Sequence, residues 1–272
     1  MGNHRTGSIP VPGTSSNDAL VFTSQQREQI RAQLVAAAQA DARIAAAAHF
    51  GSAALGLQDR WSDIDLGLGL ASDAHLDQVL TDWTARLYRD HAAVANYDVR
   101  RGSILYRVFL LENTLQIDLS FWPPGELRAV GPKFSLIFGA AGEPLSAPLP
   151  DAKDLIGMAW LYALHVRSSL ARSRQLQAEH MLSGMRDNVL ALMCKRQGVA
   201  AVQGRGLDDL PQQQKARAAE SLARSLDVAE LSRAFRVTTE IFLEELRCAD
   251  CDLAAKLESP LDGIVNSLSP TA

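Results

Sequence analysis

Residues 49–70 read HFGSAALGLQDRWSDIDLGLGL, in which a Gly-Ser pair and a loop separate two short apolar runs. The first run, IAAAAHF at 44–50, is short, apolar and ended by glycine, which is typical of a buried strand. The second run, IDLGLGL at 64–70, alternates in polarity. Because successive side chains of a strand point to opposite faces, Asp63 and Asp65 are predicted to project from one side.

Two carboxylates on one side of a strand repel each other. At an effective dielectric constant near 20, two charges ~5 Å apart cost roughly 3–4 kcal/mol. A proton shared between the acids or a bound divalent cation would offset that cost. Magnesium binds to one or two carboxylates together with substrate phosphates. Asp63 and Asp65 therefore indicate either a shared proton or a candidate magnesium site.

A third acid follows in a predicted hairpin. A tight turn is predicted at Glu112-Asn113, which lies between the runs ILYRVFLL and TLQIDLSF. In the second arm the apolar positions face one way, and Asp118 lies on the polar face. If this arm lies beside the strand of Asp63 and Asp65, three carboxylates converge. Such a set suits a two-metal site, in which one ion orients a triphosphate and the other activates a hydroxyl.

The Gly51-Ser52 pair predicts a phosphate-binding turn. Gly51 lets the backbone approach a ligand closely, and Ser52 offers a hydroxyl and a backbone N–H. If SAALG begins a helix, the N-terminus of that helix would attract anions. Arg60 and Ser62, in the loop before the acids, are further candidates for phosphate contacts, although an arginine here equally suits a surface charge.

The ordered set of these motifs resembles the polymerase-β-like nucleotidyltransferase superfamily. Within it, the set resembles the bacterial antibiotic nucleotidyltransferases of the aminoglycoside and lincosamide type. The resemblance covers roughly residues 25–125. It is carried by Gly51-Ser52, Asp63-Ile64-Asp65 and Gln116-Ile117-Asp118-Leu119.

The resemblance implies roles for these positions. Asp63 and Asp65 would bind Mg²⁺, and Ser52 would contact the triphosphate. Asp118 would be a metal ligand, the general base, or both. Some relatives place a glutamate as base near this point, so Glu112 is a second candidate base, with an exposed turn acid as the simpler interpretation.

The chain is predicted to be an α+β protein with two domains. A disordered tail over 1–20 precedes a nucleotidyltransferase domain over 21–137, with a mixed sheet and flanking helices. The segment 138–151 is rich in Gly and Pro and reads as a linker. Residues 152–272 show helical periodicity almost throughout and are expected to form an all-α helical bundle that binds the acceptor substrate.

Composition narrows the class of partner. The chain has 27 basic and 31 acidic residues and a net charge of −4, which argues against nucleic acid as the main ligand. No apolar run has membrane-spanning length, so no membrane partner is expected. Three cysteines do not form a disulfide framework, and the cytoplasm of a bacterium is the expected compartment.

The sequence thus predicts a Mg²⁺-dependent enzyme, with two ions expected. It would move a nucleoside monophosphate, AMP from ATP as the leading case, onto a hydroxyl of a small molecule and release pyrophosphate. An aminoglycoside- or lincosamide-like antibiotic is the leading acceptor, and formation of a homodimer stays open. Two alternatives remain, namely a nucleotidyltransferase that modifies a protein, as a regulator or antitoxin, and a nucleotide-binding sensor without turnover.

Overall fold

The computed structural model describes residues 21–145 and 150–268. The chain divides into two compact units, Met1–Ala147 and Pro148–Ala272. The tail predicted over 1–20 lies outside the described residues.

The first unit combines two helices with eight strands in its described part. In chain order these are α1 Ser24–Ala40, β1 Ile44–Phe50, β2 Ile64–Leu70, α2 Leu76–Asp90, β3 Ala93–Arg101, β4 Ile104–Leu111, β5 Gln116–Trp122, β6 Arg128–Val130, β7 Phe134–Phe138 and β8 Gly142–Leu145. Helix α1 begins with a capping box, in which the side chains of Thr23 and Gln26 accept hydrogen bonds from each other's backbone N–H at 3.1 and 2.8 Å.

Six of these strands form one mixed sheet, as the sequence predicts. Their order is β3-β4-β5-β2-β1-β7, and β2 and β5 are parallel while the other neighbours are antiparallel. The predicted hairpin is β4-β5, which therefore lies directly beside β2. In the parallel ladder Asp65 is opposite Asp118.

The two faces of the sheet differ in what covers them. Helices α1 and α2 pack on one face, where Leu34 and Trp83 join Leu66 of β2 and Ile117 of β5 in one core. A smaller apolar cluster that includes Trp122 lies on the other face. Because side chains alternate along a strand, the acids of β2 and β5 project from the face opposite the two helices.

Part of the segment predicted as a linker, 138–151, is a strand. Strand β8, Gly142–Leu145, pairs in parallel with β6, Arg128–Val130. The N–H of Gly142 also donates to Leu127 O at 2.8 Å. These backbone hydrogen bonds tie 142–145 to the first unit, and residues 146–149 of the segment lie outside the described residues.

The described part of the second unit contains only helices and turns, in agreement with the predicted all-α domain. Its helices are α3 Ala152–Ala171, α4 Gln175–Arg196, α5 Gln212–Glu220, α6 Val228–Ala249 and α7 Cys251–Asn266. Its core includes Leu182, Met185, Phe235 and Phe242, all buried. The three cysteines are free. None of the helices in 21–145 and 150–268 is both long and apolar enough to cross a bilayer.

An ionic network joins the end of α1 to β1 and α2. The Asp41 carboxylate accepts hydrogen bonds from Arg43 Nε and Nη2, both at 2.9 Å, and from Trp83 Nε1 at 3.1 Å. Arg43 Nη1 also donates to Asp82 of α2 at 2.7 Å. These hydrogen bonds, Arg43 first, lower the pKa of Asp41 below its usual value. The network thus fixes α2 against the start of the sheet.

We expect Asp41→Asn to reduce the free energy of unfolding by about 1–3 kcal/mol at pH 7, because the charge-assisted bonds to Arg43 are lost. The folded pKa of Asp41 is depressed, so its contribution is present above the unfolded pKa of about 3.9 and is lost as the pH falls below it. The difference between wild type and variant, measured by urea unfolding, should therefore shrink between pH 5 and pH 3.

Asp90→Asn is the matched control. Asp90 pairs with the neighbouring Arg89 at 2.7 Å, but both side chains are largely solvent-exposed. Removing this exposed pair should change the unfolding free energy by less than about 1 kcal/mol. Equal losses for the two variants would contradict a special role for the Asp41 network.

Candidate active site

Three aspartates come together at the edge where β2 and β5 begin. Asp63 immediately precedes β2, Asp65 is the second residue of β2, and Asp118 is the third residue of β5. One carboxylate oxygen of each lies within 4.8 Å of one from each of the others, and all three residues are half-buried. Among the described residues, this is the one group of three or more such ligands that could hold a metal ion.

The environment of Asp118 disfavours its negative charge. Burial raises the pKa of Asp118, and the nearby charge of Asp63 raises it further. Gln116 Nε2 donates a hydrogen bond of 3.0 Å to Asp118 Oδ1, which acts in the opposite direction. A divalent cation would relieve the repulsion among these acids, and carboxylate oxygens are the donors that Mg²⁺ prefers. The donor set therefore fits such an ion.

Gly51 sets the distance between the turn after β1 and the acids. Its φ is +62°, a left-handed conformation that glycine adopts without steric cost. A Cβ at this position would overlap Asp65 Oδ2 and lie 3.1 Å from Asp65 Cγ. Only glycine therefore allows the backbone to lie directly against the Asp65 carboxylate.

The helix predicted to begin at Ser52 is a 3₁₀ turn of three residues, Ala53–Leu55. It ends because Gly56 adopts a left-handed conformation with φ +66°. Ser52 makes no capping hydrogen bond with its side chain, while its carbonyl accepts from Leu57 N at 3.0 Å. The anion site at a helix N-terminus is conditional on a helix beginning here, and this turn of three residues is too short to supply one. A phosphate contact by Ser52, which directly follows Gly51, stays a prediction.

The loop before the acids is held by residues that the sequence did not single out. Arg27 of α1 is buried, and its Nη1 donates to the carbonyl oxygens of Asp59 and, at 3.2 Å, Ser62. The Asp59 carboxylate accepts from Trp61 N and from Ser62 Oγ, both at 2.9 Å. The hydrogen bond from Ser62 and then that from Trp61 lower the pKa of Asp59. Ser62, a predicted phosphate contact, here uses its hydroxyl to shape the loop.

Arg60 and Glu112 each donate a hydrogen bond to a backbone carbonyl group. Arg60 Nη1 donates to Phe22 O, and its guanidinium lies 4.9 Å from the centre of the Trp61 ring. The bond to Phe22 uses one of the five N–H groups of the guanidinium, so a phosphate contact by Arg60 stays a prediction. Glu112 is exposed in the β4-β5 turn, where its N–H donates to Ala92 O at 3.0 Å.

The site is therefore a three-carboxylate candidate metal centre on a mixed sheet, beside a glycine turn. No protein-family model and no curated protein matches this chain. Among solved structures, an aminoglycoside 6-adenyltransferase from Bacillus subtilis is similar, with a TM-score of 0.40 and 13% sequence identity. The match covers 90% of this chain and 99% of that chain.

We expect Gly51→Ala to weaken the binding of Mn²⁺, used as a paramagnetic substitute for Mg²⁺, by at least about tenfold, because the new Cβ displaces the Asp65 carboxylate. The fold should survive, since a left-handed alanine costs only about 1–2 kcal/mol. Electron paramagnetic resonance titration measures the free Mn²⁺ directly.

Gly56→Ala separates backbone strain from the effect on Asp65. Gly56 has nearly the same conformation, with φ +66°, but a Cβ there meets nothing within 4 Å. This variant should have a similar stability cost and unchanged Mn²⁺ affinity. If both variants bind Mn²⁺ as the wild type does, the contact between Gly51 and Asp65 has no part in metal binding.

Proposed function

We propose that this protein is a Mg²⁺-dependent nucleotidyltransferase that moves a nucleoside monophosphate, AMP from ATP as the leading case, onto a hydroxyl group. The observation that carries the proposal is the convergence of Asp63, Asp65 and Asp118 within 4.8 Å, against the backbone of Gly51. The resemblance of the same motifs to polymerase-β-like nucleotidyltransferases supports it. Phosphoryl chemistry of this kind depends mainly on positioning and on neutralising charge.

The three aspartates would have two roles, namely binding of the ion and transfer of a proton. Asp63, just before β2, and Asp65, within it, would hold Mg²⁺, which when bound would neutralise charge on the triphosphate and lower the pKa of a bound hydroxyl. Asp118, from the neighbouring strand, would complete the ligand set, accept the proton of the acceptor hydroxyl, or do both. The hydroxyl oxygen would attack the α-phosphorus, the bond from the α-phosphorus to the bridging oxygen would break, and pyrophosphate would leave.

We favour Asp118 over Glu112 as the base. Asp118 belongs to the cluster, whereas Glu112 is an exposed turn residue outside it. Backbone N–H groups and the hydroxyl of Ser52 are the proposed contacts of the triphosphate, because Ser52 directly follows the glycine that lies against Asp65.

The acceptor we propose is a small molecule, with an aminoglycoside- or lincosamide-like antibiotic as the first case. The resemblance to antibiotic nucleotidyltransferases supports this choice. The net charge of −4 also favours it over nucleic acid and suits a cationic acceptor such as an aminoglycoside. We further propose that the helical unit binds the acceptor and that the enzyme acts in the bacterial cytoplasm, where ATP is abundant.

Asp63→Asn and Asp118→Asn should each reduce pyrophosphate release by about a thousandfold or more, since each removes a charge placed for the transition state. The assay screens four nucleoside triphosphates against a panel of antibiotics and follows pyrophosphate. Glu112→Gln should retain activity if Asp118 is the base. Asp73→Asn, an exposed acid outside the cluster, is the control and should behave as wild type.

The same assay separates the alternative functions. Label transferred from ATP to a protein in a lysate, with no activity on any antibiotic, would indicate a protein-modifying enzyme. A wild-type protein that binds nucleotide but releases no pyrophosphate with any acceptor would be a sensor, and the proposal of catalysis would be wrong.

A further inference from the structure

Trp61 is exposed to solvent in the loop that leads into the acids. Its exposed fraction is 72%, against 2% for Trp83 and for Trp122. An indole is large and mostly apolar, so proteins usually bury most of it. On the same loop Leu57 is 71% exposed and Leu55 is 45% exposed. A surface this apolar beside a polar site suggests a contact with a ligand.

The loop around Trp61 is nevertheless firmly built. The backbone N–H of Trp61 donates to Asp59 Oδ1 at 2.9 Å. The buried Arg27 side chain donates a hydrogen bond to the carbonyl oxygen of Asp59. Arg60 lies over the indole, 4.9 Å from the ring centre, and is itself bonded to the carbonyl of Phe22. One side of the indole is thus supported by a fixed cation, while most of the ring surface remains open.

The position of Trp61 in the chain places it near the metal ligands. It precedes Asp63 by two residues. Two residues of extended chain span at most about 7 Å, so the Cα atoms of Trp61 and Asp63 lie within that distance. In a nucleotide the base lies one ribose beyond the phosphates, so a triphosphate held at Asp63 and Asp65 would carry its base over a distance comparable to that between Asp63 and Trp61.

We infer that Trp61 is a stacking platform for the base of the nucleoside triphosphate, an inference that rests on the proposed function. A planar aromatic ring fits an exposed indole face better than a hydroxylated sugar does. The guanidinium of Arg60 completes a stack of cation, indole and base. Because every base has a π-face, such a platform tolerates all four bases and strengthens binding of the larger purines most. Discrimination between ATP and GTP must then come from other residues.

The test compares two triphosphate ligands, of which only one carries a nucleoside. Mg²⁺·ATP and Mg²⁺·tripolyphosphate both present a triphosphate chain, but only ATP can stack. Trp61→Ala should weaken ATP binding roughly 5- to 100-fold and leave tripolyphosphate binding unchanged, as measured by isothermal titration calorimetry. Trp61→Phe keeps an aromatic face and should recover most of the lost affinity for ATP.

Tryptophan fluorescence of the folded wild type gives an independent measurement. Stacking of ATP should quench the emission, and tripolyphosphate should not. The quenching should vanish in Trp61→Phe and persist in the control Trp160→Phe, since Trp160 lies in the helical unit and is 38% exposed. Quenching that persists in Trp61→Phe would overturn the inference.

Three further results would also overturn it. Equal weakening of ATP and tripolyphosphate in Trp61→Ala would assign Trp61 to the support of the loop. Unchanged ATP affinity with a raised KM for the acceptor would assign the indole to the acceptor. Unchanged affinity for every ligand would leave the indole with no binding role.

A different variant, Asp63→Asn, tests the proposed function independently of Trp61. If Asp63→Asn binds both ligands as tightly as the wild type does, the triphosphate is not held at the acids, and the proposed function fails. If Asp63→Asn loses both ligands while Trp61→Ala binds ATP normally, the triphosphate site stands and only the stacking platform is wrong.

Discussion

The parallel pairing of β2 with β5 is the constraint on which the candidate site depends. It places Asp65 opposite Asp118, and it is held by apolar residues between the acids rather than by the acids themselves. Ile64 and Ile117 lie opposite each other in this ladder and are fully buried beneath α1 and α2. A shift of one residue would turn an aspartate into that core and an isoleucine out of it, so the register is strongly specified.

That constraint lets the fold tolerate a local electrostatic conflict. Three half-buried carboxylates within 4.8 Å repel one another, and burial of Asp118 adds to the cost. At an effective dielectric constant near 20, each pair of charges at that spacing costs roughly 3 kcal/mol. The apolar core on the opposite face of the sheet offsets it, and Gly51 leaves the space that the Asp65 carboxylate needs. Local conflicts of this kind are expected at functional sites.

The sequence predicts the parts of the site whose signals are local. Alternation along IDLGLGL and along the arm of Asp118 identifies which residues share a face, and the structure agrees. Other features depend on contacts between distant segments. Arg27 lies 32 residues from Asp59, and nothing in the sequence of α1 marks it as the support of a loop. Strand β8 is short and contains a proline, so its sequence resembles that of a linker. Only its pairing with β6 in the structure identifies it as a strand. The placement of β5 next to β2 is likewise a property of the whole sheet.

The loop between Ser52 and Asp63 shows that polar residues near a candidate site can also have a structural role. Arginine and serine near predicted phosphate ligands suggest anion binding, yet here Ser62 closes a turn with Asp59, and Arg60 lies against an indole. The result is a loop whose shape is set before any ligand arrives. Binding to such a loop avoids the entropy of ordering it, which is the main advantage of preorganisation. The polar residues of the loop therefore hold its shape, while most of the Trp61 ring stays exposed to solvent.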